Sequence, residues 1–554
     1  MLDYTRYYRP HEVEAALHAF AEQYPQLCAL RSIGTSHEGR SIWLATLTNQ
    51  ATGPDQTKPA FWLDANIHAT EVTGCMGALH LIETVLKRYG NDARVTQLLD
   101  ERALYIVPCL NPDGMEQALT SPVYVRSGTR RYPFTDERDG LYPEDLDGDG
   151  QIVEMRVPDP DGGWKISDKD PRLMRRRGPD EYGGQYYRVY TEGRIRGYDG
   201  IQVKIAPPTQ GLDFNRNFPY IWGPEGEQQG AGPYPGSEPE VRAAIHFLSS
   251  HLNVSCAQTY HTYSGVLLRP YSDRPDEKLP QDDIWTFKEM GERGKALTGY
   301  PHTSVYHGFR YHPREVMRGA FDDWAYEHLG IFAFTVELWD MIGEAGIKER
   351  DFIEWFRDHP EEDDLKLLKW DDEQNGGRGF IPWRPFEHPE LGPVEIGGWI
   401  ERRTLGNPPE HLLLPTLAPC TEFAIAHALM GPRLTLRNLE VTALSETVYR
   451  LRAVAINTGY LPTYGSRRAQ KANLIRPIDV TLSLPDTASL LTGELRQTIG
   501  QLEGRASKRA VWGGDYPTDN LAKLEWTIHA PAGTNLTLTV ASERAGTARA
   551  ELTL

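Results

Sequence analysis

Cysteine is scarce in this chain, with five residues among 554. Their number is odd, they lie far apart and they form no C-x-x-C pair, which argues against a disulfide framework and against a thiolate metal site. The sequence therefore predicts a reducing, cytoplasmic location. The five positions are Cys28, Cys75, Cys109, Cys256 and Cys420.

A basic surplus is also lacking, because 59 Lys and Arg residues stand against 77 Asp and Glu residues, a formal charge of −18. An acidic balance disfavours nucleic acid and anionic membranes as partners. The first twenty residues carry charges throughout and do not resemble a signal peptide, and we expect no later apolar run of membrane-spanning length. The sequence thus predicts a globular chain with no nucleic-acid or membrane partner, and it leaves the oligomeric state open.

Apolar runs of strand length alternate with amphipathic segments of helix length through much of the first 340 residues. Strand, helix, strand in this order is typical of a parallel sheet covered by helices. We therefore predict an α/β fold with a mixed, mainly parallel, doubly wound sheet and helices on both faces. The predicted strands are 41–48, 60–66, 103–110, 254–261 and 331–338, and the predicted helices are 11–24, 71–89, 238–251 and 281–299.

Two other regions differ from the α/β region in composition and in hydrophobic periodicity. Residues 115–210 are rich in Gly, Asp, Arg and Tyr and lack long periodicity, so we expect a large irregular insertion on the ligand-binding side. After residue 432, short alternating strands separated by turn residues predict an antiparallel β-sandwich. The expected domains are 1–430, containing the insertion, and 432–554.

Within the insertion, "DLDGDGQIVE" spaces Asp145, Asp147 and Asp149 like the first acidic positions of a calcium loop. The twelfth position, however, is Arg156 and not the bidentate glutamate of such loops. Two interpretations stay open, a Ca²⁺ site and a cluster of Asp-Gly turns.

A His-x-x-Glu pair, His68 with Glu71, lies where a predicted buried strand gives way to a helix. Open α/β sheets bind ligands at this edge, and the four other His-x-x-Glu pairs of the chain lack that placement. A catalytic zinc needs a third protein ligand and one open position. His261 ends another predicted strand and is the best candidate for that ligand, and Glu337, near the end of a further apolar strand, is the candidate general base. Taken singly, each of these residues also fits a plain capping or solvent-facing role.

Six motifs in order resemble the zinc carboxypeptidases of the M14 type, the carboxypeptidase A/B group: "HATE", "NPDG", "GLDFNRNFP", "GSEPE", "YHTYSG" and "DDWAYEHLGIFAFTVELWD". The resemblance implies a Zn²⁺ cofactor held by His68, Glu71 and His261, with Glu337 as general base. It also implies that Asn215 and Arg216 hold the free terminal carboxylate of a peptide substrate, since a guanidinium fork matches a carboxylate.

Three further roles are implied less directly. For the arginine that stabilises the oxyanion, the insertion offers Arg126, Arg130, Arg156 and others, and we favour Arg130 or Arg156. Glu315 stands where the family has a mobile tyrosine, and Tyr311 is the nearby substitute. Asp322 matches the position that selects basic C-terminal residues in carboxypeptidase B, although it also suits a helix start that needs a capping carboxylate.

Two other functions compete with a metallocarboxypeptidase. A zinc amidase acting on acylated amino acids or peptidoglycan peptides would use the same site. A non-catalytic protein would use the α/β domain as a peptide receptor, and we disfavour it because all three ligands and the base are present.

Overall fold

The computed structural model describes residues 2–507 and 517–554. Its helices are α1 (Pro10–Gln23), α2 (Val72–Arg88), α3 (Ala93–Glu101), α4 (Pro112–Thr120), α5 (Pro239–Ser250), α6 (Gln281–Thr298), α7 (Val305–Gly308), α8 (Phe321–Leu329), α9 (Met341–Glu344), α10 (Glu354–Arg357), α11 (Glu361–Trp370), α12 (Glu410–Leu429) and α13 (Arg467–Lys471). The strands are β1 (Cys28–Thr35), β2 (Ser41–Leu47), β3 (Ala60–Ala65), β4 (Ala103–Val107), β5 (Gly140–Pro143), β6 (Glu154–Pro158), β7 (Trp164–Ile166), β8 (Met174–Arg176), β9 (Tyr187–Thr191), β10 (Gly193–Arg196), β11 (Val254–Thr262), β12 (Val266–Arg269), β13 (His302–Ser304), β14 (Phe332–Leu338), β15 (Phe380–His388), β16 (Gly392–Trp399), β17 (Leu434–Ala443), β18 (Val448–Asn457), β19 (Asp479–Ser483), β20 (Ser489–Thr492), β21 (Arg496–Thr498), β22 (Leu521–His529), β23 (Asn535–Ser542) and β24 (Gly546–Thr553).

The central sheet has eight strands in the order β1-β2-β4-β3-β11-β14-β12-β13. Its middle strands β4, β3, β11 and β14 run parallel. Helices cover both faces: Phe61 of β3 contacts His427 of α12, whereas its neighbour Trp62 contacts Phe247 of α5. Successive side chains of a strand point to opposite faces, so a strand covered on both sides must be apolar throughout. The predicted α/β class with a mainly parallel sheet is confirmed.

One helix corrects the expectation that no apolar run reaches membrane-spanning length. The 20-residue α12 has a mean hydropathy of 1.4 over its most apolar window, and 56% of that window is buried. Leu413, Leu417 and Phe423 of this helix belong to the main core of the α/β region. A helix that is apolar on most sides fits a core position in a soluble fold as well as a membrane span, and here packing against the sheet accounts for it.

The insertion is more ordered than its sequence indicated. Strands β6 to β9 join β15 and β16 in a six-stranded antiparallel sheet of order β15-β16-β6-β9-β7-β8. The hairpin of β15 and β16 joins it through the pairing of β16 with β6, in which Glu395 lies opposite Arg156. Part of the insertion is therefore completed by a hairpin about 230 residues further along the chain. The remaining strands, β5 and β10, form a separate ribbon.

The region after residue 432 contains two four-stranded antiparallel sheets, β17-β18-β22-β20 and β21-β19-β23-β24. Alternate residues of their strands enclose a separate apolar core that includes Leu451, Trp526 and Val540. Short strands in two antiparallel sheets are thus observed in this region, as the sequence predicted.

Candidate metal centre and substrate site

The side chains of His68, Glu71 and His261 converge at the carboxyl edge of the central sheet. The Nδ1 atom of His68 lies 2.7 Å from Glu71 Oε1, and Nδ1 of His261 lies 3.0 Å from Glu71 Oε2. The two Nδ1 atoms are themselves 3.0 Å apart. All three residues are at least 95% buried. Two imidazole nitrogens and a carboxylate within this distance of one another can share one cation.

The fold explains the convergence. Strand β3 ends at Ala65, three residues before His68, and Glu71 is the N-cap of α2. His261 lies near the end of the neighbouring strand β11, and in the parallel pairing of β11 with β14 it stands beside Glu337. Residues in register on adjacent strands share one face of the sheet at a spacing of about 4.8 Å. The sheet therefore brings a ligand and the candidate base side by side.

Hydrogen bonds outside the cluster orient both imidazoles. The Nε2 atom of His68 lies 3.1 Å from Asp213 Oδ1, and Nε2 of His261 lies 3.3 Å from the hydroxyl of Thr259. That hydroxyl donates to Asp64 Oδ2 over 2.8 Å. A proton on each Nε2 satisfies these contacts and leaves both Nδ1 lone pairs facing the cluster, which is how metal-bound histidines are usually fixed. The donor set and its outer partners thus fit a zinc ion held by His68, Glu71 and His261.

The pKa values of two carboxyl groups at this site, those of Glu71 and Glu337, differ from their usual values. Burial raises the pKa of Glu71, but the adjacent His68 and His261 outweigh that effect and hold it below its usual range. Burial, and next the negative charge of Glu71, raise the pKa of Glu337 well above its usual value. Glu337 is 8% exposed, and its carboxyl group makes no hydrogen bond to any residue the structure describes. Its carboxyl group faces the same small cavity as His68 and His261.

The structure brings a different arginine to this cavity from the two that we expected. Arg126 lines it, donating from Nη1 to Glu71 Oε1 and from Nε to Asp213 Oδ2, each over 3.2 Å. Arg130 instead pairs with Glu238.

Arg156 lies in the insertion sheet. It pairs with Glu395 over 2.8 Å and packs on Trp383. The guanidinium of Arg156 is therefore occupied by contacts within the insertion sheet. Arg126 replaces both expected arginines as the candidate for stabilising an oxyanion.

Asn215 and Arg216 lie on the wall of the same cavity. The amide oxygen of Asn215 accepts from the backbone N–H of Phe321 over 2.8 Å, which ties this segment to the start of α8. The guanidinium of Arg216 is buried and donates to the backbone oxygen of Asn215 and to the sulfur of Met317. It makes no hydrogen bond to a carboxylate among the described residues. A buried cation in that state suits a substrate carboxylate.

Asp322 and Tyr311 also line the cavity. Asp322 is 2% exposed; its Oδ1 accepts from the backbone N–H of Asp323 over 3.0 Å, and its Oδ2 is buried without a partner in the described chain. Burial raises the pKa of Asp322 to about 6. Tyr311 is 47% exposed and follows α7. The structure thus places both residues at the cavity, and their roles stay predictions.

A sequence model described as zinc carboxypeptidase matches residues 13–347 of the chain. This chain belongs to the zinc carboxypeptidase family. The match spans more than half of the 554 residues and includes His68, Glu71, His261 and Glu337. Residues 433–553 match a separate domain of unknown function.

Several known members of the zinc carboxypeptidase family are similar to this chain. Carboxypeptidase B of Astacus astacus is 25% identical over 344 residues, which are 61% of this chain and 88% of the relative. Carboxypeptidase A1 of Mus musculus is 23% identical over 61% of this chain and 64% of the relative, so less than two thirds of that relative's length is spanned. Among solved structures, that of thrombin activatable fibrinolysis inhibitor is 20% identical, with a TM-score of 0.43 over 77% of this chain and 74% of that one.

The acidic loop of the insertion is already engaged by protein groups. Nη2 of Arg384, in β15, donates to Asp147 Oδ2 over 2.8 Å and to Asp149 Oδ2 over 2.6 Å. Asp145 accepts from the backbone N–H groups of Gly148 and Gly150. The three carboxylates lie close enough together for a cation, so Ca²⁺ binding stays a prediction, with Arg384 as its competitor.

Sequence reasoning missed Asp213 and Thr259, and it named Arg126 among the arginines of the insertion without favouring it. Asp213 had a usable signal, because it stands two residues before Asn215 in a quoted motif. Thr259 shares its strand face with His261, so an i−2 search would have found it. Arg126 reaches the cavity because its carbonyl accepts a backbone hydrogen bond from Ala69, a tertiary contact that no spacing predicts.

Proposed function

We propose that this protein is a zinc-dependent metallocarboxypeptidase that hydrolyses the C-terminal peptide bond of peptides. The observation that carries the proposal is one cavity whose wall includes two ligand histidines, a buried carboxyl group at Glu337 and a buried guanidinium at Arg216. Arg216 makes no ion pair with a carboxylate in the described residues, so the terminal carboxylate of a peptide and its scissile carbonyl would have two separate attachment points, the guanidinium and the ligand cluster.

Zinc, when bound by His68, Glu71 and His261, supplies a Lewis acid that polarises a carbonyl and lowers the pKa of water to about 7. Glu337 accepts the proton that the attacking water loses as the new C–O bond forms. It then delivers that proton to the nitrogen as the C–N bond breaks, so the products are a shortened peptide and a free amino acid.

Two arginine side chains have different roles in binding and catalysis. Arg216, with Asn215 beside it, holds the terminal carboxylate and so selects chain ends. Arg126 has hydrogen-bond donors directed at Glu71 and Asp213, and the same side chain is placed to stabilise negative charge that develops on the carbonyl oxygen. Pre-oriented donors of this kind typically contribute about 10²- to 10³-fold to turnover.

The basic preference implied by Asp322 is a finer proposal. Its unpartnered buried Oδ2 would pair with the cationic end of a C-terminal Lys or Arg, and a buried charge gains most from such a partner. The competing account is structural, because Oδ1 accepts a backbone hydrogen bond in the first turn of α8. Comparing kcat/KM for peptides ending in Arg, Phe and Glu separates the two, and a clear preference for Phe contradicts the basic pocket.

The decisive experiment digests a peptide mixture with zinc-loaded protein and reads the products by mass spectrometry. We expect stepwise loss of C-terminal residues from free peptides and none from the same peptides with amidated ends. Cleavage of the amidated set would favour an amidase or endopeptidase. The matched variant Glu337→Gln should retain zinc, which metal analysis measures. Its turnover should fall at least about 10³-fold, because glutamine has the shape of glutamate but cannot carry the proton. Substantial residual turnover would contradict Glu337 as the base.

A further inference from the structure

A second cavity, of about 520 Å³, lies beside the start of α2 and is lined by four arginines, Arg6, Arg378, Arg402 and Arg403. Arg6 pairs with Asp3 and Glu12, whereas none of the other three makes an ion pair with a carboxylate in the described part of the chain. Arg402 donates to the backbone oxygens of Ala118 and Ser121, over 2.6 and 2.8 Å. We call this space the arginine cavity.

The side chains of Arg378 and Arg403 are free to bind a ligand. Arg378 donates only to the backbone and side-chain oxygens of Asn375, and Arg403 makes no side-chain hydrogen bond to a described residue. Both side chains are exposed. Glu410 is the one acidic residue among those that line the cavity. In a protein whose formal charge is −18, a cavity with this surplus of positive charge attracts carboxylate or phosphate groups.

The position of the arginine cavity relates it to catalysis. Thr70 and Val72 line it, and the residue between them is the metal ligand Glu71. The substrate cavity, which Arg216 lines, borders the same ligand cluster through His68. A peptide whose last residue is held at Arg216 and whose scissile bond lies at the ligands would therefore continue toward the arginine cavity.

Tyr124 lies near Arg126 of the substrate site and near Arg402 of the arginine cavity. The ring is 56% exposed, so it offers an open surface between the two sites.

We propose that the arginine cavity binds an acidic side chain of the substrate, on the N-terminal side of the scissile bond. The enzyme would thus prefer peptides with Glu or Asp a few residues before the cleaved terminus. This inference rests on the proposed function, because it takes the direction of the peptide from the assignment of Arg216.

The test compares three peptides that share one C-terminal residue and carry Glu, Gln or Lys at the second to fourth positions upstream. The double variant Arg378→Glu with Arg403→Glu reverses the exposed charges and leaves Arg402, which holds backbone oxygens, in place. The matched control is Arg496→Glu with Arg549→Glu, two exposed arginines of the C-terminal sandwich. We expect wild type and control to favour the Glu peptide. The double variant should lose about 10-fold in kcat/KM for the Glu peptide and gain for the Lys peptide, since it removes two exposed ion pairs with the Glu side chain and offers carboxylates to the Lys side chain.

A binding measurement separates failure of this inference from failure of the proposed function. Zinc-loaded Glu337→Gln protein, with and without the two charge reversals, is titrated with fluorescent Glu and Gln peptides, and inorganic phosphate is added as a competitor. A preference for the Glu peptide that the reversals abolish supports the inference even if no peptide is hydrolysed. Equal affinity for both peptides overturns it, as does a preference that survives the reversals, whatever the hydrolysis assay shows. Phosphate that binds without displacing the Glu peptide also overturns it, because the anion would then lie elsewhere.

Discussion

The two ligand histidines are held by outer partners of different kinds. Asp213, a carboxylate, receives the Nε2 proton of His68, whereas His261 has the neutral hydroxyl of Thr259. The hydroxyl can accept from His261 only while its own proton points to Asp64, whose other oxygen accepts from the indole N–H of Trp62. The tautomer of His261 therefore depends on a buried chain of three groups behind it.

Replacing Thr259 by Val should weaken zinc binding about 10-fold, because loss of the outer partner of a ligand histidine typically costs 10- to 100-fold in metal affinity. Competition with a chromophoric chelator measures the Kd directly and does not depend on turnover. Thr259→Ser keeps the hydroxyl and should remain near wild type. Wild-type affinity in the Val variant would show that the 3.3 Å contact with His261 contributes nothing to zinc binding.

For single residues, the sequence predicts the site residues that lie at strand ends. It does not predict the site residues that tertiary contacts bring to the cavity. His68, His261 and Glu337 were predictable because each follows or ends an apolar run, and the ends of parallel strands share one edge. Arg126 was not, since it lies in a segment without periodicity, and the expected Arg130 and Arg156 found carboxylate partners elsewhere.

Among the elements, α8 connects the substrate site to the C-terminal sandwich. Its first turn carries Asp322, and its last carbonyls, those of Leu329 and Gly330, accept hydrogen bonds from Arg544. Ser466 also donates to the oxygen of Gly330. The last carbonyls of a helix have no partner within it and carry partial negative charge, so a buried guanidinium there is doubly favourable.

Arg544→Ala should lower the free energy of unfolding by about 2–4 kcal/mol, because several buried carbonyls would lose their donor and each costs about 1–3 kcal/mol when left unpaired. Urea denaturation followed by tryptophan fluorescence measures the change. Arg549→Ala, an exposed position on the same strand pair, is the control and should change stability by less than about 0.5 kcal/mol. A loss in the Arg544 variant no larger than the control's would mean that the end of α8 is not held from the sandwich.

The insertion shows where prediction from sequence fails for elements. Its strands β7 and β8 have three residues each, and β6 and β9 have five. An alternating pattern cannot be recognised over so few residues, and two of the sheet's six strands, β15 and β16, lie in another part of the chain. The longer strands β11 and β14 were predicted within two residues at each end, because their pattern is sustained.

For the molecule as a whole, the metal and the fold should be thermodynamically coupled. The ligand His261 lies nearly two hundred residues after the ligands His68 and Glu71. An unfolded chain therefore does not present the three side chains together. A ligand that binds only the folded state stabilises it by about 2.7 kcal/mol at 100 times its Kd.

Calorimetry should therefore show that zinc raises the melting temperature of chelator-treated protein and that excess chelator reverses the increase. His261→Ala should remove the zinc-dependent part while leaving a folded protein, and His246→Ala, on α5, is the matched control. An equal zinc effect in the His261 variant would show that the stabilising ion binds elsewhere.

The pairing of β6 with β16 has a consequence for any attempt to shorten this chain. Excising the insertion as a continuous segment would remove β6 and leave one side of the retained hairpin with unsatisfied N–H and C=O groups, a template for self-association. Simplified versions should thus remain monodisperse only if 380–399 is trimmed together with the insertion, which makes the two stretches a single unit for protein engineering.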